Sequence, residues 1–263
     1  MRKYIHIYKA TLIESLQYVS SIFIGFISFF IMMFVFINLW QYVYQDESQL
    51  ISGYTMNQMI WYVLINEALW FGTRNKTLTN QISLDIKTGN IAYNINKPYN
   101  YVFYVIARHL GEITIKFVLF SIFGICLGLA MIGKIPDFNV INIPLILIPI
   151  ILGILINSFI RIAISVISFW IEDSNPFQWI YDKMILILGT LFPIEMFPKW
   201  IQPIIKCTPV FAVSYGPAKL IIDFSMSMFW KIIAVQIIYL VVISVILLLM
   251  YRSGTKRLNV NGG

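Results

Sequence analysis

The sequence predicts an all-α integral membrane protein. It would have six transmembrane helices, both termini cytoplasmic, an interfacial N-terminal helix, and broken, re-entrant helices on the outer side before the last span. Three observations carry this expectation. The 263 residues are 59% hydrophobic and 12% charged, with a mean hydropathy of +0.79, whereas a soluble domain carries about 45–50% apolar and about 25% charged residues. Apolar runs near or above the roughly 20 residues that cross a bilayer recur along the chain. The basic residues gather in alternate connections between those runs. Half the usual charge cannot coat a globular surface, which excludes a soluble enzyme. The chain, 1–263, reads as a single transmembrane domain with no room for a soluble nucleotide-binding or catalytic unit.

The elements follow in order. Arg2, Lys3 and Lys9 precede an apolar run over 19–43. That run is too long for a signal-peptide core and has no small-residue cleavage site, so it is an uncleaved first span. Before it, Ile5, Tyr8, Leu12 and Leu16 recur at helical spacing. They form either an interfacial helix on the inner leaflet or a continuation of the first span. An acidic connection with Asp46 and Glu47 leads to a second span over 54–72. The longest polar stretch, 73–100, comes next, followed by spans over 101–132 and 143–170. The segment 177–194 is a short fifth span at the low end of what can cross. In 193–222, Pro193, Pro198, Pro203, Pro209 and Pro217 break any single helix. Irregular backbone of this kind is tolerated at membrane depth only where protein or a watery cavity buries it. The last span covers 229–251.

Charge decides the count. With six spans and the N-terminus inside, twelve basic residues fall on cytoplasmic segments: Arg2, Lys3, Lys9, Arg74, Lys76, Lys87, Lys97, Arg108, Lys183, Arg252, Lys256 and Arg257. Five fall outside, namely Lys134, Lys199, Lys206, Lys219 and Lys231. A five-span arrangement would move Arg252, Lys256 and Arg257 outside and spoil the bias. The net charge of +7 thus reports orientation rather than nucleic-acid binding.

Chemistry-bearing patterns are sparse. Cys126 and Cys207 have no CxxC or histidine neighbour, so neither a disulfide framework nor a zinc site is expected, and Cys126 reads as a packing residue. His6 and His109 are too few for an intramembrane metalloenzyme. Gly128, Gly133 and Lys134 have phosphate-loop spacing, but Ile135 stands where Ser or Thr would hold magnesium and no strand precedes them. Gly124 and Gly128 instead form a small-residue pair suited to helix packing within the chain. The sequon at Asn75 would be silent on the cytoplasmic side. Arg108, Glu112 and Lys116 form a charge ladder at i, i+4, i+8. Glu67 and Arg161 lie within spans, where ionisable groups face a partner or a cavity. Glu67 either pairs with Arg161 or Lys116, or lines a substrate path. With no Ser–His pair and no carboxylate pair on one buried face, catalysis by the chain is not expected.

The polar segment 85–98 is more informative. Ile86, Ile91, Tyr93 and Ile95 are interleaved with polar residues on the cytoplasmic side, which reads as a docking loop. Gly89 through Lys97 and Pro98, followed by a helix bearing Arg108, resembles the segment after the second span in permease subunits of type-2 ABC transporters. Phe169, Trp170, Glu172 and Asp173 resemble that family's Phe-Trp-x-Glu-Asp. Gly189, Pro193, Phe197, Pro198 and Trp200, with Pro209 and Pro217 beyond, resemble its Gly…Pro…Phe-Pro-x-Trp run. The matches fall in family order along the chain; Lys97 stands where many relatives have Arg.

The resemblance implies the transmembrane subunit of an ATP-driven exporter, working with a second permease, the same or a different chain, and two separate ATPase subunits. ATP and magnesium would sit on the ATPase and no cofactor on this chain. By this analogy Lys87, Gly89, Asn90, Ile91, Lys97 and Pro98 contact the ATPase, with Glu172 and Asp173 forming or bracing a second contact. Pro193, Glu195, Phe197, Pro198 and Trp200 form the outer gate. Glu67, Glu112, Lys116 and Arg161 are the intramembrane polar set. Short loops point to a multi-pass protein of a bacterial inner membrane. Competing readings are an ion-gradient-driven secondary transporter, for which internal repeats and midplane charges are wanting, a membrane enzyme, and a non-transporting membrane adaptor.

Overall fold

The computed structural model describes residues 2–44, 46, 49–136 and 138–258, and side chains other than those of 18–21 and 258. Glu47 of the acidic connection lies outside these residues. Among those described, the regular structure is helical, with one isolated bridge, Ile51 to Tyr54, closing the turn before the helix that starts at Met56. The helices are α1 (Arg2–Ser15), α2 (Val19–Val43), α3 (Met56–Thr73), α4 (Lys76–Lys87), α5 (Asn90–Ile95) and α6 (Tyr101–Met131). They continue as α7 (Ile143–Val166), α8 (Asn175–Ile185), α9 (Gln202–Lys206), α10 (Gly216–Ile222) and α11 (Met226–Leu258). Wide π-type turns cover Leu186–Leu191 and Phe211–Tyr215.

Local chemistry sets the starts. Thr55 and Gln58 form a reciprocal capping box on α3, with the Gln58 N–H donating to Thr55 Oγ1 at 3.2 Å and the Thr55 N–H to Gln58 Oε1 at 3.0 Å. Asn75 caps α4 and Asn100 caps α6 through their side-chain oxygens. The turn from α4 to α5 needs Gly89, whose φ of 74° is costly for any residue with a Cβ.

Among the described residues, four helices are long and apolar enough to cross a membrane: Ile22–Val43, Tyr101–Met131, Val140–Phe169 and Met226–Arg257. The segments expected as second and fifth spans are helical, as α3 and as α8 with its π-type continuation, but neither joins that set. Polar residues such as Asn57, Gln58, Asn66 and Glu67 dilute α3, and the chain itself encloses it. Met59, Ile60, Trp61, Tyr62, Val63 and Leu64 are all buried. By contrast α2 exposes Phe23, Ile24, Ile27, Phe30, Ile31 and Phe34 along one side. A bare apolar stripe of that extent belongs against lipid or another helix.

α3 packs along α6, α2 covers α3, and α11 packs along α7. The small-residue pair on α6 works within the chain. Gly124 lies against Leu64, Ala68 and Phe29, and a Cβ on Gly128 would enter the Trp61 ring. Gly128→Leu is therefore expected to destabilise by about 1–3 kcal/mol through overpacking. The unfolding midpoint in detergent would show it, and an unchanged midpoint would mean that α3 and α6 are not in contact there. Cys126 does not pack as expected; it is exposed, because it falls on the side of α6 opposite Gly124 and Gly128.

The N-terminal segment is a helix in its own right, separated from α2 by the 3-10 turn Leu16–Tyr18. It packs on α6 through Tyr4, Tyr8 and Thr11, with Tyr8 and Thr114 hydroxyls 3.2 Å apart, and leaves Ile5, Ile13 and Leu16 exposed. The stretch 73–100 is not a loop. It is the helical pair α4 and α5, whose Leu78, Ile82, Ile86 and Ile91 enter a core shared with α6, α7 and α11.

Candidate functional site

Polar side chains inside the bundle form a column beside α3. At the Tyr54 end, Glu195 accepts hydrogen bonds from the hydroxyls of Tyr54, at 2.9 Å, and Tyr215. Lys219 lies over the Tyr54 ring and pairs with Asp223 at 2.8 Å. Deeper in, the Tyr62 hydroxyl donates to the Gly189 carbonyl, and the Ser214 hydroxyl donates to Asn66 Oδ1 at 2.7 Å. Towards the Arg74 end, Tyr181 donates to Asn157 at 3.0 Å, and the Asn157 amide reaches the Thr73 hydroxyl at 3.4 Å. Arg161 then pairs with Asp182 at 2.6 Å, while the Gln178 amide donates to the Arg161 carbonyl at 2.7 Å.

The π-type turns make part of this possible. Widening the helix at 186–191 and 211–215 brings Gly189 and Ser214 against each other and against α3. Such bulges recur at functional positions. Gln236 of α11 braces the arrangement, its amide donating at 2.8 Å to both the Pro149 and Ala212 carbonyls.

Two spaces open on the column. A cavity of about 30 Å³ lies among Asn66, Thr73, Asn157, Arg161, Thr190 and Ser214, room for about one water. A cleft of about 590 Å³ opens at the Arg74 end and shares Trp70 and Arg161 with it. Arg74 stacks on Trp70 at 4.3 Å. Burial pushes its guanidinium down from the ordinary arginine range, Asp182 opposes that, and Arg161 adds to it.

The expected intramembrane ion pair is corrected. Glu67 is buried, yet its Oε2 has no hydrogen-bond partner among the described residues, and Arg161 is held by Asp182 and Gln178. Glu67 follows Asn66 by one residue, a turn of about 100° on a helix, so when Asn66 faces Ser214 and the cavity, Glu67 faces away. Glu112 takes Arg108 at 2.9 Å, and also accepts from the Asn75 side-chain amide. The sequon asparagine is thus a buried cap tying α4 to α6. Lys116, one turn further, is half-buried.

Within 85–98 the candidate residues divide. Lys87, Gly89, Asn90 and Pro98 are exposed, and Lys97 is half-buried, donating to Asn94 at 3.1 Å. Ile91 is fully buried, so it anchors α5 and offers no outer contact. The segment is held from both sides. The Lys3 ammonium donates to the Pro98 carbonyl at 2.5 Å, and the Asn100 N–H donates to the Tyr4 hydroxyl at 2.9 Å. On the far side, Ser83 of α4 meets Ser174 at 2.6 Å. Asp85 accepts from Tyr101 at 3.4 Å; burial raises its carboxyl above the usual range, and the Tyr101 bond with Arg108 and Lys97 pulls it back.

Glu172 and Asp173 are exposed next to Ser174, and Asp173 accepts from the Asn175 N–H at 3.1 Å at the start of α8. Of the expected outer set, Pro193 leads into the short turn Ile194–Met196 that presents Glu195. Phe197 packs edge-on to Phe192, which packs on Trp40 of α2. Pro198 and Trp200 are exposed, away from the Glu195 cluster. Sequence reading passed over Asn66, Asn157, Asp182 and Ser214. Asn157 in its apolar run, and Asp182 four residues after Gln178, were the signals available.

No match is found among curated proteins or solved structures. The sequence profile of the ABC-2 family transporter proteins matches residues 29–262. The matched region holds the exposed face of α4 and α5, the polar column and the broken helices before α11. The chain therefore belongs to the ABC-2 family of transporter proteins, as a multi-pass membrane permease component of an ABC transporter.

Proposed function

We propose that this permease is the transmembrane subunit of an ATP-driven exporter in a bacterial inner membrane. It crosses the bilayer six times, keeps both termini inside, and pairs with a second permease, the same or a different chain, on two ATPase subunits. The observation that carries this is the rigid, half-exposed unit of α4 and α5. Its inner face is buried against α6 and α7, its end is tied to α1, and its outer face carries Lys87, Gly89, Asn90 and Pro98. A loop would absorb a push from a partner; a helical pair welded to α6 and α7 transmits it. Closure of the ATPases would then switch the permease pair between inward- and outward-facing packings, with Glu172 and Asp173 bracing the contact. Free energy enters through the partner's different affinity for the two states. The cluster of Glu195, Tyr54 and Tyr215, with Pro193 and Phe197 beside it, closes the outer end.

Purification from native membranes in mild detergent tests this. One soluble ATPase is expected per permease. Replacing Lys87, Asn90 and Pro98 together by glutamate is expected to reduce the retained ATPase by roughly tenfold, as loss of an interface hot spot does, with the unfolding midpoint unchanged because all three are exposed. A chain that purifies alone and still transports on an ion gradient would make it a secondary transporter; a chain that never transports would make it an adaptor.

A further inference from the structure

The cleft at the Arg74 end has an unbalanced lining. Arg74, Lys76, Arg161 and Lys183 face it against the single carboxylate of Asp182, and that carboxylate is already engaged by Arg161. Arg161 is only 6% exposed, and its Nε has no hydrogen-bond partner among the described residues. The Arg74 Nε is likewise buried without one. A buried guanidinium N–H is costly to leave unmatched, and the two guanidinium side chains that line the cleft form the inner half of an anion site. The N-terminal turns of α4 and α8, both longer than two turns, open on the same space through Lys76, Thr79, Asn175 and Gln178. Their positive dipole ends add to the field.

Two tryptophans complete the cleft among polar neighbours. Trp70 lies under Arg74, and Trp179 stands 5.7 Å from the Lys183 ammonium. Trp179 is itself exposed at the mouth of the cleft. Tryptophan beside basic residues at the end of a helix bundle is the composition of a membrane interface. The volume, about 590 Å³, lies within the roughly 300–1,000 Å³ of small-molecule pockets.

The geometry points to a binding site for the phosphate headgroup of an anionic amphiphile, held by Arg74, Arg161 and Lys183, with its apolar part against Trp70 and Trp179. Phosphate suits the site because its several acceptor oxygens can take guanidinium donors from α7 and from the α3–α4 corner together. A small soluble anion would have no use for the aromatic ledge. The cavity beyond Arg161 is too narrow to pass such a ligand, so the cleft is where it is first held. The site rests on the transporter reading for its use, as a loading position, and on nothing but its own lining for binding.

The test uses the full chain, delipidated in neutral detergent and titrated with dioctanoyl phosphatidate, dioctanoyl phosphatidylcholine or inorganic phosphate by calorimetry. Phosphatidate is expected to bind about tenfold tighter than phosphatidylcholine. Arg74→Gln with Lys183→Gln is expected to remove about tenfold of that affinity, the size of one lost charge-assisted bond or more. Lys183→Gln alone, at an exposed position, is expected to give a severalfold loss in a chain that is certain to fold as the parent does if its unfolding midpoint is unchanged. Inorganic phosphate binding as tightly as phosphatidate would overturn the amphiphile assignment. Equal binding of the zwitterionic lipid, or no loss in Lys183→Gln and the double variant, would overturn the site. These measurements need no ATPase, so their failure leaves the transport proposal to be judged by co-purification.

Discussion

Asp182→Ala is expected to be among the most damaging single substitutions in this chain, costing about 3–5 kcal/mol. Its carboxylate is the ion-pair partner of Arg161 at 2.6 Å, with the two side chains 15% and 7% exposed. Removing it leaves a buried guanidinium with only the long contact to Gln178, at 3.5 Å, and the nearby Tyr181 ring. The loss is that of an uncompensated charge rather than of the pair's own worth. Arg161→Met on top of Asp182→Ala should therefore recover part of the stability, with a coupling energy in the range of about 0.5–3 kcal/mol seen for contacting residues. Unfolding midpoints of the parent, both single variants and the double variant in one detergent measure it. An Asp182→Ala midpoint equal to the parent's would mean that water reaches Arg161 freely.

Glu195→Ala is expected to come next, at about 2–6 kcal/mol. The carboxylate is the acceptor for two buried tyrosine hydroxyls, Tyr54 and Tyr215, each 2% exposed. Orphaning each one costs about 1–3 kcal/mol. Glu195→Gln keeps one carbonyl oxygen and should retain about half of the effect, whereas Tyr54→Phe with Glu195→Gln should cost less than the sum of the two. Because the cluster ties the 194–196 turn to the start of α3 and to the second π-type turn, limited proteolysis within 194–210 should accelerate along with the loss of stability. Faster proteolysis with an unchanged midpoint would show that Glu195 holds only this turn; neither change would remove it from the closure of that end.

The broken stretch before α11 was visible in the chain because it is local. Proline spacing alone breaks 193–222 into pieces, and Glu195 stands out as a carboxylate among apolar residues. The segment that became α4 and α5 stood out for the same reason, as polar residues interrupted by Ile86, Ile91, Tyr93 and Ile95. What the alternation could not say is which of these point inward. Ile91 is buried because α5 folds back onto α6 and α7, and that follows from a left-handed Gly89 and from the tether of Lys3 to Pro98, the second lying 95 residues apart. Glu67 shows the opposite limit. Its place in an apolar run was legible, but its direction depended on which side of α3 meets Ser214 and the second π-type turn, a matter of one residue's rotation.

By itself, then, the sequence determined the class of molecule and the place of its long apolar helices. Apolar length and charge asymmetry act along the chain and need no partner to be read. The family follows from motifs that keep their order in the same line. Tertiary structure alone decided the polar column: that Arg161 is matched with Asp182, Asn66 with Ser214, and Asn75 with Glu112. In an apolar surrounding a polar side chain must find a partner wherever the packing brings one. The helices that supply these partners are distant in the chain, and only their docking chooses among the candidates.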